Sequence, residues 1–165
     1  MKNLVLIGLP GCGKTTVGQR LAAELGLGFV DCDAEIEEKA GKTIPEIFAE
    51  DGEEIFRKWE TEVLKDALKT PGKVVATGGG IVLKEENRVA LCRATTVFLD
   101  RDLNNIQSTC DMAGRPLMQT CTLEELALER RQFYLDCADY VVTAEEPEEI
   151  VAEIVEYWRG GTCVF

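Results

Sequence analysis

The sequence contains no histidine, and that absence removes a large part of enzyme chemistry. Histidine-based acid–base catalysis, Ser/His and Cys/His nucleophiles and the mixed Cys/His zinc patterns are all excluded. Basic residues are scarce too: 18 Lys and Arg stand against 30 Asp and Glu, a formal net charge of −12 with a pI near 4.5. Nucleic-acid binding without sequence preference needs clustered cations, and anionic membrane surfaces repel a chain of this sign. Neither a nucleic acid nor a membrane is therefore expected as a partner, and an anionic ligand has to be held by local positive groups. No run approaches the roughly 20 apolar residues of a membrane span. The opening "MKNLVLIGLPGC" has the lysine, apolar run and cysteine of a lipoprotein leader, but the run before Gly8 is too short, and it reads as a buried first strand. The CxxC pair is also missing. Seven cysteines are scattered along the chain, which points to free thiols and a cytoplasmic location.

What is present is ordinary globular material: 165 residues, 45% of them apolar, enough for one domain spanning 1–165 with a proper core. Short β-branched runs at 3–7, 28–31, 73–77, 95–99 and 139–143 read as strands, most of them apolar on both faces. Helical periodicity lies between them. Val17, Leu21, Ala22 and Leu25 form one face; Ile55, Phe56, Trp59, Val63, Ala67 and Leu68 form another; Ile150, Val151, Ile154, Val155 and Trp158 form the last. Alternation of this kind predicts an α/β fold, a five-stranded parallel sheet covered by helices on both faces. Residues 32–60 hold more helix than a simple crossover needs, and 111–122, "DMAGRPLMQTCT", lacks periodicity. Both read as additions to the core layer, although an ordinary surface loop would also account for 111–122.

"GLPGCGKTT" at 8–16 matches G-x-x-x-x-G-K-[ST], with a strand before it and an amphipathic helix after it. The glycines let successive N–H groups wrap a phosphate, and the helix N-terminus adds partial positive charge. In such a loop Lys14 reaches the β- and γ-phosphates, and Thr15 is placed to ligate Mg²⁺. "AGKT" at 40–43 echoes the motif's end but lacks its first glycine and its strand. "DMAG" at 111–114 matches the D-x-x-G of GTPases by letter alone, and no N-K-x-D guanine reader accompanies it.

The stretch "VDCDAEI" puts Asp31 and Asp33 at the end of the second strand, on the sheet edge where open α/β folds bind ligands. On extended backbone their side chains point to opposite sides, which suggests one acid for the metal and one for an acceptor. The plainer alternative is that Asp33 caps the helix "AEIEEKAG". "GEEIFRKWE" puts Arg57 on a helix with Glu60 at i+3 to orient it. "ATGGGIV" ends the third strand in Gly78, Gly79 and Gly80, where bare backbone can approach a small ligand closely. "GRPL" and "ERRQFY" supply Arg115 and Arg130, each of which taken alone reads equally as a solvated charge.

Taken in order, "GLPGCGKTT", "DCD", "GEEIFR", "ATGGG", "GRPL" and "ER…Y" resemble the shikimate kinase family, P-loop enzymes of the nucleoside-monophosphate-kinase-like superfamily, over nearly the whole chain. The resemblance implies transfer of a phosphoryl group from ATP to a hydroxyl of shikimate, giving shikimate 3-phosphate and ADP on the route to chorismate and the aromatic amino acids. It implies a cytoplasmic enzyme, expected as a monomer, with Mg²⁺ as cofactor and ATP and shikimate as its ligands. ATP would be held by Gly11, Cys12, Gly13, Lys14, Thr15 and Thr16, with Arg115 from a short lid at 111–122 and with Pro147. Thr15 and Asp31 would serve the metal. Asp33 would bind ring hydroxyls and act as the base, making Lys14, Asp33 and Arg115 the catalytic set. Arg57 and Arg130 would clamp the carboxylate, and Gly78, Gly79 and Gly80 would line the ring site.

Three departures stand out. The family's adenine-stacking arginine is Ser108 here. The proline of its "R-x-P-L-Y" segment is Gln132, and Arg131 beside Arg130 leaves the second clamp ambiguous. Cys12 and Cys32 lie inside the two active-site motifs, where oxidation could inactivate the enzyme, although inert small residues are the plainer reading. Two other readings compete with shikimate phosphorylation. One is a kinase of another small polyol acid such as gluconate, whose family uses a histidine this chain lacks. The other is a catalytically idle ATP-binding regulatory module.

Overall fold

A computed structural model describes residues 2–109 and 122–160. Its centre is one sheet of β1 (Leu4–Ile7), β2 (Gly28–Asp31), β3 (Lys73–Ala76), β4 (Thr95–Leu99) and β5 (Tyr140–Val142), in the order β2-β3-β1-β4-β5 with every pair parallel. β1 sits in the middle with all four residues wholly buried, which is why its sequence, "LVLI", is apolar on both faces. The five-stranded parallel sheet agrees with the expected fold, and the strand bounds differ from expectation by at most one residue at either end.

The connecting helices are α1 (Lys14–Leu25), α2 (Cys32–Ala40), α3 (Ile44–Glu50), α4 (Glu53–Leu68), α5 (Glu85–Leu91), α6 (Leu103–Thr109), α7 (Leu123–Cys137) and α8 (Pro147–Gly160), with a 3₁₀ turn at Ile81–Leu83. α1 packs with α8, whereas α4 gathers α2, α3 and α5, and α7 packs on the 3₁₀ turn and β4. The helix-rich stretch expected at 32–60 is α2, α3 and the start of α4. Thr43 and Thr122 start α3 and α7 with reciprocal capping boxes to Glu46 and Glu125, which stop each helix from unravelling backwards. One expected core position is corrected: Ile55 is 37% exposed, and Leu64, one turn beyond Glu60, is buried on the apolar face of α4 instead. The lid expected at 111–122 lies outside the described residues except for Thr122.

Three crossovers between parallel strands start from the same edge of the sheet. The turns after β1, β2 and β3 are therefore neighbours in space although they lie at 8–13, 31–33 and 77–80 in the chain.

Candidate active site

The loop after β1 closes into α1 at Gly13, whose φ of 95° is a left-handed conformation open to glycine at little cost. No side-chain hydrogen bond caps α1 at Gly13, so among the described residues no capping side chain competes for its first-turn N–H groups. Lys14 is buried, and its Nζ donates to the carbonyls of Gly8 at 2.7 Å and Leu9 at 2.9 Å, with Cys12 Sγ at 3.6 Å. The loop's own backbone thus holds the ammonium at its mouth. Thr15 Oγ1 donates to Asp31 Oδ2 at 2.8 Å, which joins the P-loop to the end of β2.

The two aspartates are placed differently from the extended-strand expectation. α2 starts at Cys32, so only Asp31 belongs to the strand, and Asp33 lies in the first helical turn. The cap is Asp31 as well: its Oδ1 accepts from the backbone N–H of Asp33 at 3.0 Å and of Ala34 at 3.3 Å. Asp33 is released from capping. Its carboxylate is turned over the third-strand turn, where a Cβ on Gly78 would meet Asp33 Oδ1 at 3.0 Å and Glu60 Oε2 at 2.9 Å.

The glycine tract begins just after β3 ends at Ala76. Thr77 Oγ1 donates to the carbonyl of Leu6 at 2.7 Å and so fixes the tract beside the P-loop. A Cβ on Gly79 would meet the Pro10 ring at 2.7 Å, and one on Gly80 would land on the Arg57 guanidinium. Arg57 cannot easily yield, because it is buried and donates to buried Glu60 and, at 3.2 Å, to Glu53. Gly80→Ala is therefore expected to push Arg57 aside and raise KM for an acidic acceptor several-fold while KM for ATP stays put. Steady-state kinetics in both substrates checks it, and equal rises in the two constants would count against this placement.

Arg130 completes the cluster from α7. It is 2% exposed, it acts electrostatically on Glu60, and its Nε has no hydrogen-bond partner among the described residues. Tyr134, one turn on, donates its hydroxyl to the carbonyl of Gly79 and stacks on Phe98 at 5.0 Å, and burial pushes its phenol well up. Burial also raises the Glu60 carboxyl, against the pull of Arg57. Between the P-loop, Asp31, Asp33 and Gly78–Gly79 runs a cleft of about 230 Å³. A larger hollow of about 680 Å³, between α4 and α5, has none of these residues in its wall.

A model of the family described as "Shikimate kinase" matches residues 10–159. A shikimate kinase of Thermobifida fusca is 43% identical over 156 residues, 92% of this chain and 91% of that protein. The chain belongs to the shikimate kinase family. Among solved structures, a shikimate kinase from Acinetobacter baumannii in complex with shikimate superposes with a TM-score of 0.93 at 34% identity, covering 98% of this chain and 95% of that one. A gluconokinase from Sinorhizobium meliloti shares the fold alone, at 19% identity and a TM-score of 0.53.

The structure brings together most of the residues that the family's motifs single out. Gly11, Gly13, Lys14, Thr15, Thr16, Asp31, Asp33, Gly78 and Gly79 line one cleft, and Arg57, Gly80 and Arg130 stand beside it. Of the two adjacent arginines, Arg130 is the buried one, and Arg131 reaches outward to Asp100. Pro147 opens α8, whose next residue, Glu148, pairs with Arg20 of α1 at 3.0 Å. Arg115 lies outside the described residues. Cys12 and Cys32 fit the inert reading rather than the redox one: both are buried, and burial, with Asp33 and Asp31 adding to it, pushes the Cys32 thiol well above its ordinary range. Tyr134 and Pro10 were not singled out as contacts of the glycine tract, although Tyr134 closes the "ER…Y" motif four residues after Arg130.

Proposed function

We propose that the chain phosphorylates a hydroxyl of shikimate with ATP, releasing shikimate 3-phosphate and ADP. The observation that carries this reading is the buried arginine pair beside the P-loop. Arg57 pairs with buried Glu60 and with Glu53, Arg130 acts on Glu60 electrostatically and contacts buried Tyr134, and Arg130 Nε has no hydrogen-bond partner among the described residues. A buried donor of that kind costs stability unless something satisfies it, and a planar carboxylate fits an arginine fork in two places at once. A ring acid anchored there would carry its hydroxyls toward Asp33 and the glycine tract, and from there toward the cradle.

Asp33 then binds the reacting hydroxyl and takes its proton as the oxygen attacks the γ-phosphorus. Gly11 to Thr16 hold the phosphates through backbone N–H groups, and Lys14 neutralises charge on the transferred group. Arg115 would add a second cation from the lid segment, and Pro147 would flank the nucleoside. Thr15 and Asp31 offer a hydroxyl and a carboxylate 2.8 Å apart, hard oxygen donors suited to Mg²⁺ with phosphate oxygens and water completing the shell. When bound there, Mg²⁺ supplies charge neutralisation at the phosphates. Among the described residues no helix is long and apolar enough to cross a membrane, and Cys12, Cys32, Cys92 and Cys137 are free thiols, which fits the cytoplasm.

ADP release measured with MgATP and shikimate, beside gluconate, AMP and no acceptor, tests the assignment. Release that depends on shikimate is expected. Release with another acceptor would keep the kinase and overturn the substrate, and ATP binding without any turnover would favour an idle nucleotide-binding module.

A further inference from the structure

We propose that Arg101 is a nucleotide-binding residue whose guanidinium lies against the base of ATP, doing the work for which position 108 carries no cation. This rests on the P-loop binding ATP, as described above. Sheet order limits where the nucleoside can go. The cradle follows β1, and the β3 and β2 side of it is occupied by Gly78–Gly80, Asp33 and Arg57. A nucleotide with its γ-phosphate turned toward that side must leave the cradle on the other side, past the turns that follow β4 and β5.

Arg101 stands in the first of those turns, two residues after β4 ends. Its side chain is 12% exposed, and its Nε donates to Glu145 Oε2, in the turn after β5, at 3.2 Å. Glu145 is itself fixed, since its Oε1 accepts from the backbone N–H of Asp102 at 2.8 Å. Held through Nε, the guanidinium presents Nη1 to the P-loop, 3.9 Å from where a Cβ on Gly13 would stand. A planar cation is thus fixed between the last glycine of the cradle and the turn leading into Pro147. An arginine face stacks on an aromatic ring in a way that a lysine ammonium cannot. Ser108, by contrast, brings no cation and no plane.

Calorimetric titration of the full chain with ADP, and separately with inorganic tripolyphosphate, tests the assignment. Arg101→Ala is expected to raise the dissociation constant for ADP about fivefold to tenfold and to leave that for tripolyphosphate within about twofold. Arg101→Lys, which keeps the charge but not the plane, should recover only part of the loss. Should Arg101→Ala not fold, Arg101→Gln retains an amide donor toward Glu145 and carries the same expectation. Unchanged ADP affinity would overturn the proposal. So would equal weakening of ADP and tripolyphosphate, which would make Arg101 a phosphate ligand or a structural strut. Neither titration needs an acceptor, so a chain that binds ADP but does not phosphorylate shikimate would defeat the proposed function and leave this inference standing.

Discussion

Lys14→Met is expected to lower kcat by at least about a thousandfold, with shikimate affinity little changed. In the structure the ammonium ties the P-loop together through the carbonyls of Gly8 and Leu9, and in the proposed reaction it neutralises charge on the transferred phosphoryl group. Methionine keeps the length and apolar stem of the side chain but offers neither donor nor charge. Losing the buried contacts alone costs about 1–3 kcal/mol of local stability, which a melting curve would register. The kinetic loss should be larger, because phosphoryl transfer depends on little besides position and charge neutralisation. The proposed acceptor clamp, Arg57 of α4 and Arg130 of α7, contains no atom of the P-loop, so calorimetric binding of shikimate should survive. Turnover within tenfold of the parent chain would remove Lys14 from the chemistry. Loss of both turnover and shikimate binding would instead mean that the loop had collapsed.

The sequence was most informative where a property repeats locally. Buried parallel strands need apolar residues on both faces, so β1 and β4 announce themselves, and a P-loop needs its glycines at fixed spacing. The Arg57–Glu60 pair follows the i, i+3 rule of a helix and could be read directly. The side-chain directions expected at Asp31 and Asp33 did not hold, because the period of a strand was carried two residues too far. The backbone turns helical at Cys32, so the second acid sits on α2 and the first becomes its cap. The ambiguity between Arg130 and Arg131 had an unused local signal. Leu123, Leu126, Arg130 and Tyr134 are all buried on one face of α7 and follow helical spacing, which places Arg130 on the inward stripe and Arg131 beside it. No local pattern reports that Gly80 lies under Arg57, that Gly79 abuts Pro10, or that Arg101 pairs with Glu145. Those contacts join elements far apart in the chain, and only the strand order brings them together.

Asp33→Asn separates the two roles first weighed for this acid. Had Asp33 been the cap of α2, asparagine would substitute nearly as well and activity would follow stability. Because Asp31 holds the cap, the change at Asp33 removes one negative charge near a helix N-terminus, worth about 0.3–1 kcal/mol at most exposed sites. It also leaves Glu60 without a like charge near it, which offsets part of that loss. The melting temperature should therefore move little. Turnover should not follow it, since an amide oxygen does not take a proton at neutral pH, and losing a positioned general base costs about 10²–10⁴ in rate. KM for ATP is expected to hold, because the cradle's donors are untouched, while KM for shikimate rises only modestly if an amide can still bond to the ring hydroxyls. The control is Asp31→Asn, which weakens a partner of both Thr15 and the α2 N-terminus, and so should cost stability and metal-dependent ATP affinity together. If the two variants behaved alike, the acids would share one role. If Asp33→Asn turned over at the parent rate, the proton would have to leave by another route, and Glu60, whose Oε2 lies over Gly78 beside Asp33, is a carboxyl placed to be tested next.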